Sequence, residues 1–140
     1  MNKTLFVCMA ALFLVVQFPV AADSFIVKPD SGEQLYKWDG QVVMNPVTAE
    51  EIYKFDGDYI TDPVTGERRF KWDGQFIVNP DTNEQLYRWD GKYLSNPTTG
   101  EQYFAFEGQI ITKVSTGEQL LKVEGEIPAI VIVALMTRLL

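Results

Sequence analysis

Apolar and polar positions return in the same order every seventeen residues along most of the chain. Six glycines mark the period: Gly40, Gly57, Gly74, Gly91, Gly108 and Gly125. An acid precedes each one, at Asp39, Asp56, Asp73, Asp90, Glu107 and Glu124. Before the acid stand Trp38, Phe55, Trp72, Trp89, Phe106 and Val123, and two positions earlier Tyr36, Tyr53, Phe70, Tyr87, Phe104 and Leu121. A glutamate holds the same place in every copy, at Glu33, Glu50, Glu67, Glu84, Glu101 and Glu118. Such regularity means one supersecondary unit stacked on itself, with a core that no single copy can build.

Each copy carries two turn signals separated by runs of about five residues rich in Tyr, Phe, Trp, Ile and Val. The first is Asp-Gly, as in Tyr36-Lys37-Trp38-Asp39-Gly40-Gln41-Val42-Val43, which suits a two-residue type I′ hairpin. The second is Asn-Pro-x-Thr-Gly-Glu, as at Asn96 to Glu101. There proline presets φ, threonine can bond back to the backbone, and glycine takes the left-handed position. The pattern predicts an all-β, antiparallel meander of about twelve short strands over residues 23–127, as an open ribbon or as a closed barrel or flower. With Asp39-Gly40 at the hairpin tip, Trp38 faces Gln41 and Tyr36 faces Val43. One face then carries Tyr36, Trp38 and Val43 with their equivalents, and this aromatic-aliphatic face is the expected core.

The ends leave the pattern. Met1-Asn2-Lys3 followed by the apolar stretch Leu5–Phe18 and the small residues Val20-Ala21-Ala22 reads as a signal peptide cleaved near Ala22. The protein is therefore expected to be exported, to a periplasmic or extracellular place. Ser24 to Pro29 reads as the second half of a missing first copy. Residues 128–140 form an apolar tail too short to cross a bilayer as a helix. It is expected to be a strand or short helix covering the open end of the core, the alternative being contact with a membrane or partner.

Charge and composition narrow the chemistry. Without Lys3, eleven basic residues face nineteen acidic ones, a net charge of −8. The chain has no histidine, and its one cysteine, Cys8, lies in the signal segment. That excludes a disulfide, a thiolate nucleophile, a Ser-His-Asp relay and any imidazole or sulfur metal site. The acidity argues against nucleic acid as a partner. Carboxylates remain, but glycoside hydrolysis needs two of them in different environments, and repetition makes these equivalent. No loop packs acids densely enough for an EF-hand-like calcium site. No enzyme activity, cofactor or metal is expected.

The phrase Tyr-x-Trp-Asp-Gly…Asn-Pro-x-Thr-Gly resembles the tyrosine-aspartate hairpin repeats of bacterial RHS proteins, which enclose or present other cargo, although those run longer between Asp and Pro-x-Gly. It is also similar to the small bacterial four-fold β-flower proteins, which lack the Asn-Pro-x-Thr-Gly turn. Choline-binding repeats share the aromatic hairpin but open on a glycine-tryptophan pair absent here. The likeness covers the repeat region, implies a hairpin array, and carries no functional residue with it. The remaining candidates are Tyr59, Phe76 and Tyr93, on the face opposite the core, where Val42 sits in the first copy. Exposed, they would form a ladder of rings for a cell-wall or other glycan, or for a protein partner. Free edge strands would instead allow the array to pair with itself.

Overall fold

The computed structural model describes residues 23–140; the predicted signal peptide lies outside the described residues. Twelve strands run in chain order: β1 Ser24–Val27, β2 Gln34–Trp38, β3 Val42–Met44, β4 Glu51–Asp56, β5 Tyr59–Thr61, β6 Arg68–Trp72, β7 Phe76–Val78, β8 Gln85–Trp89, β9 Tyr93–Ser95, β10 Gln102–Glu107, β11 Ile110–Lys113 and β12 Gln119–Glu124. One helix, α1, follows at Ala129–Thr137. Each strand pairs antiparallel with its neighbours, and β1 pairs with β12 through Phe25 to Glu124, Ile26 to Val123 and Val27 to Lys122. The meander is therefore a closed barrel. The orphan half-copy at the N-terminus supplies its twelfth strand.

Closure settles the sheet's edges. An open array ends in unpaired N–H and C=O groups, and a closed one has none. Self-association by strand addition, one of the expectations above, has no free edge to use among the described strands.

The side chains expected in the core do face inward. Val43, Ile60, Ile77, Leu94 and Ile111 are buried, together with Ile26 from β1. Trp38, Phe55, Trp72, Trp89, Phe106 and Val123 belong to the same cluster, as do Tyr36, Tyr53, Phe70, Tyr87, Phe104 and Leu121. Inward positions thus form three layers, aromatic near both ends and aliphatic at the middle.

Turn geometry departs from the expected two-residue Asp-Gly hairpin. In β2–β3 Trp38 pairs with Val43, not Gln41, and the same holds for Trp72 with Ile77 and Trp89 with Leu94. The reason is aspartate chemistry. The Asp39 Oδ1 accepts from the N–H of Gln41 at 2.9 Å and of Val42 at 2.8 Å, and Asp73 and Asp90 repeat the arrangement. The side chain satisfies two amides of a longer loop, while Gly40 takes φ +103°. In the other two hairpins Asp56 pairs with Tyr59 and Glu107 with Ile110, so the loops are Gly57-Asp58 and Gly108-Gln109. Only in the latter do both loop residues have positive φ, at +62° and +70°, as type I′ requires. The displacement from expectation is two residues. Because side chains alternate with period two, the inward set is unchanged.

The other end of the barrel is built by the proline turns. The Asn45 side chain accepts from Val47 and Thr48 N–H, the Thr48 hydroxyl accepts from Glu50 N–H, and Asn45 N–H donates to the Glu50 carbonyl at 2.8 Å. The repeated glutamate thus serves through its backbone, and its side chain is exposed in all six copies. Just beyond, every copy inserts one extra residue against its partner strand: Leu35, Ile52, Arg69, Leu86, Tyr103 or Leu120. Six bulges at one level bend the strands and add local twist to the wall.

Helix α1 occupies the barrel's interior. Small barrels of about eight strands are filled by their own side chains, and wider ones leave a lumen; a helix about 10 Å across suits such a space. Ile130 through Met136 are all buried, and they share one cluster with the inward wall residues. The helix enters from the Asp-Gly end, where Pro128 and Ile132 lie beside Trp38, Phe55 and Phe106. It leaves at the proline-turn end, where Arg138 lies near Tyr36 and Tyr53. A helix walled on every side has no polar face to keep. The tail was expected to cover the open end of the core. It fills the core instead, and only Leu139 and Leu140 of its large apolar side chains are exposed.

Candidate functional site

With the lumen filled, the surfaces open to a ligand are the two mouths and the outer wall. The wall mixes cations with apolar and aromatic side chains: Lys37, Lys54, Lys71, Arg88 and Lys122 hold equivalent outward positions, opposite Phe25, Val42, Tyr59, Phe76 and Ile110. Strands of three to six residues are shorter than the roughly nine to eleven that cross a bilayer, and an apolar interior with a charged exterior reverses the pattern of a porin-like barrel. Among the described residues no helix is long and apolar enough to span a membrane.

Tyr59, Phe76 and Tyr93 all lie on the outer wall, at equivalent positions of β5, β7 and β9, and each is half-buried. The fold does not bring them into one continuous aromatic strip. Each stands two strands across and two residues along from the next, because Lys71 pairs with Tyr59 and Val78, and Arg88 with Phe76 and Ser95. The rings are thus roughly 12 Å apart, and the strands between put cations opposite two of them. Lys71 is the cross-strand partner of Tyr59, and Arg88 that of Phe76. Tyr93 faces Ala105 instead. The Arg68 guanidinium lies 4.0 Å from the Tyr59 ring centroid, and Lys92 Nζ lies 5.1 Å from that of Tyr93. Phe76 has the ring least engaged by a cation. The three rings form half of a surface, and the interleaved cations form the rest.

The sequence marks one of these cations, Arg68, as a departure from the repeat. The third copy reads Arg68-Arg69 where the others read Gln34-Leu35, Glu51-Ile52, Gln85-Leu86, Gln102-Tyr103 and Gln119-Leu120. Arg69, the bulge residue, turns to the proline-turn mouth and pairs with Asp62 at 3.2 Å and with Glu67 at 3.6 Å. Lys92 is held by Glu107 at 2.8 Å, which raises the lysine pKa and lowers that of the carboxylate.

The two mouths offer clefts of about 560 Å³ each. At the proline-turn mouth Arg138 lies between Tyr36 and Tyr53, 5.8 Å from the Tyr53 ring centroid. Burial works against its charge, and the hydroxyls of Tyr53 and Tyr36 more than offset it. At the opposite mouth Trp38, Phe55 and Phe106 surround the start of α1.

Two of the turn carboxylates, Asp62 and Asp90, are shifted away from acid catalysis. Asp62 is held below its ordinary range by the backbone N–H groups of Thr65 and Val64 and by Arg69, and Asp90 by the N–H of Tyr93 and of Lys92, against a cost from burial. A general acid needs the reverse shift. No three acids gather into a cation site among the described residues.

Asp62 provides a pH test of the turn chemistry. Its lowered folded-state value adds stability above the unfolded value of about 3.9, and that gain is lost as pH falls through the folded value. Asn stands at the equivalent place in three other copies, at Asn45, Asn79 and Asn96, so Asp62→Asn keeps the turn and removes the charge. The variant is expected to melt slightly below the wild type at neutral pH and together with it well below pH 4. A constant difference across that range in thermal melts would assign the effect to packing.

Compared with models of protein families, with curated proteins and with solved structures, the chain matches none.

Proposed function

We propose that the protein is an exported, non-enzymatic module of the bacterial envelope that binds cell-wall or other glycan on the outer wall of its barrel. Tyr59, Phe76 and Tyr93 are the ring platforms. The observation that carries this reading is their position. The barrel needs an aromatic face only inward, yet three consecutive copies also place a large ring outward, at the position where the first copy has Val42. Sugars stack on flat ring faces, and rings held in register by a rigid sheet lose little freedom on binding. The helix-filled interior supports a wall site over a lumen site. Export is read from the signal segment.

The test is retention on insoluble peptidoglycan. The triple variant Tyr59→Ala, Phe76→Ala and Tyr93→Ala is expected to bind at least tenfold more weakly, as the loss of three ring contacts of about 0.5–1 kcal/mol each would give. Its melting temperature, measured in parallel, separates lost binding from lost folding. Undiminished retention by a folded triple variant removes the rings from the site. A carboxylate hydrolase is the weaker alternative. It requires some glycan to be cleaved and one of Asp39, Asp56, Asp73 and Asp90 to matter far more than its equivalents.

A further inference from the structure

We infer that the wall panel spanning β5 to β8 selects anionic glycans, with Arg68, Lys71 and Arg88 reading negative charge while Tyr59 and Phe76 take the sugar faces. This rests on the reading of the wall as a glycan site and names its ligand class.

The argument is one of charge placement. Nineteen carboxylates outnumber the basic residues of the described chain, yet every one of them lies in a turn, a loop or at a strand terminus. Lys37, Lys54, Lys71, Arg88 and Lys122 lie within strands of the wall, and Arg68 opens one. Lys28, Lys37, Arg69 and Lys92 are paired with acids, whereas Arg68, Lys71 and Arg88 form no ion pair among the described residues. Lys54 and Lys122 elsewhere on the wall form none either, and the panel differs from them in having aromatic rings beside its cations. Arg88 feels Asp90 only at a distance, through its effect on that carboxylate. Unneutralised cations on a protein of the same net charge as their ligand make a local, directional attraction, not a general one.

Geometry adds to charge. The Arg68 guanidinium carbon lies 4.0 Å over the Tyr59 ring centroid, a cation–π contact that holds the charge beside the ring while its N–H groups can meet a carboxylate or phosphate. Lys71 and Arg88 stand opposite Tyr59 and Phe76, so ring and cation alternate across adjacent strands. Two strand spacings and a two-residue offset put the rings of Tyr59 and Phe76 roughly 12 Å apart, so an extended acidic polysaccharide can reach from one ring to the next and bring a charge beside each cation. Arg68 is also a departure from the repeat, standing where four copies carry glutamine. The repeated fold does not need it.

The experiment titrates the purified protein with polygalacturonate, a glycerol-phosphate teichoic polymer, neutral dextran and polyglutamate. At low salt an acidic glycan is expected to bind at least tenfold more tightly than dextran, and salt near 1 M should erase the difference, since screening then acts within about 3 Å. Binding in either acidic arm supports the proposal and identifies the charge as carboxylate or phosphate. The triple variant Arg68→Gln, Lys71→Gln and Arg88→Gln should bind the acidic glycan roughly tenfold more weakly, as three lost exposed charge contacts would give, with unchanged melting. If that folded variant binds the acidic glycan like the wild type, or dextran binds equally well, charge selection fails while the ring platform stands. Equal binding of polyglutamate overturns the glycan in favour of an acidic chain of any kind. If the wild type retains no glycan at all, both readings fall together.

Discussion

Leu135→Ala loses about 2–5 kcal/mol of stability, the range for emptying a large core position that cannot collapse, whereas Leu139→Ala stays within about 0.5 kcal/mol. The two leucines lie four residues apart near the end of the chain, and the sequence gives no reason to separate them. The structure does: Leu135 is 1% exposed and Leu139 40%. Leu135 lies among inward wall residues of a closed sheet whose strands are tied to both neighbours, so the space left behind cannot be filled by sliding one element. Val133→Asp tests the same idea harder. Val133 is fully buried in the apolar cluster, where an unpaired charge costs several kcal/mol, and the variant should not fold. Chemical denaturation followed by tryptophan fluorescence measures all three, with Trp38 and Trp89 reporting from the buried wall. A stable Val133→Asp protein would show that α1 lies outside the barrel.

How far the fold was legible follows from what a repeat encodes. The seventeen-residue period specified antiparallel hairpins, and the alternation within each copy specified which face turns inward, because both are local properties repeated until unmistakable. Hairpin register was less accessible. Asp-Gly is a good two-residue turn, and it is equally a good aspartate acceptor for a longer one. Which arrangement wins depends on whether Asp39 Oδ1 can reach the amides of Gln41 and Val42. Closure was less accessible still, since it depends on accumulated twist and on Ser24–Val27 meeting the last strand. The tail was legible as apolar but not as central. Its companion surface is the ring of inward aromatics and aliphatics, which exists only once the barrel has closed. At the candidate site the rings of Tyr59, Phe76 and Tyr93 could be read from the alternation. Arg68 stood out only as a departure from the repeat, and the placement of Lys71 and Arg88 beside the rings could not be read, because cross-strand neighbours are set by the register that the turns left ambiguous.

Gly125→Ala is expected to destabilise the protein well beyond Gly74→Ala or Gly91→Ala, and the comparison isolates the junction between wall and helix. The three glycines share one backbone conformation, with φ near +100°, so the strain that alanine suffers there, about 1–3 kcal/mol, is common to all. They differ in surroundings. A Cβ at Gly74 or Gly91 meets nothing within 4 Å, whereas at Gly125 it falls onto the Ser24 hydroxyl and 3.2 Å from Ser24 Cα. That hydroxyl is not free to move aside. It is buried, donates to the Glu126 carbonyl at 3.1 Å and accepts from the Glu126 N–H at 3.0 Å. Ser24 opens β1, and Glu126 lies between β12 and α1, so one side chain joins the strand that closes the barrel to the segment that directs the helix inward. Ser24→Ala removes both bonds and should cost about 1–3 kcal/mol. It also removes the nearest atom in the path of the new methyl group, though the Ser24 Cβ, 2.8 Å from it, stays, so the double variant should lose somewhat less than the sum of the two single ones. Strict additivity in denaturant melts would mean that the methyl group at residue 125 does not press on the Ser24 hydroxyl, and that this hydroxyl does not hold β1 against the helix entry as described.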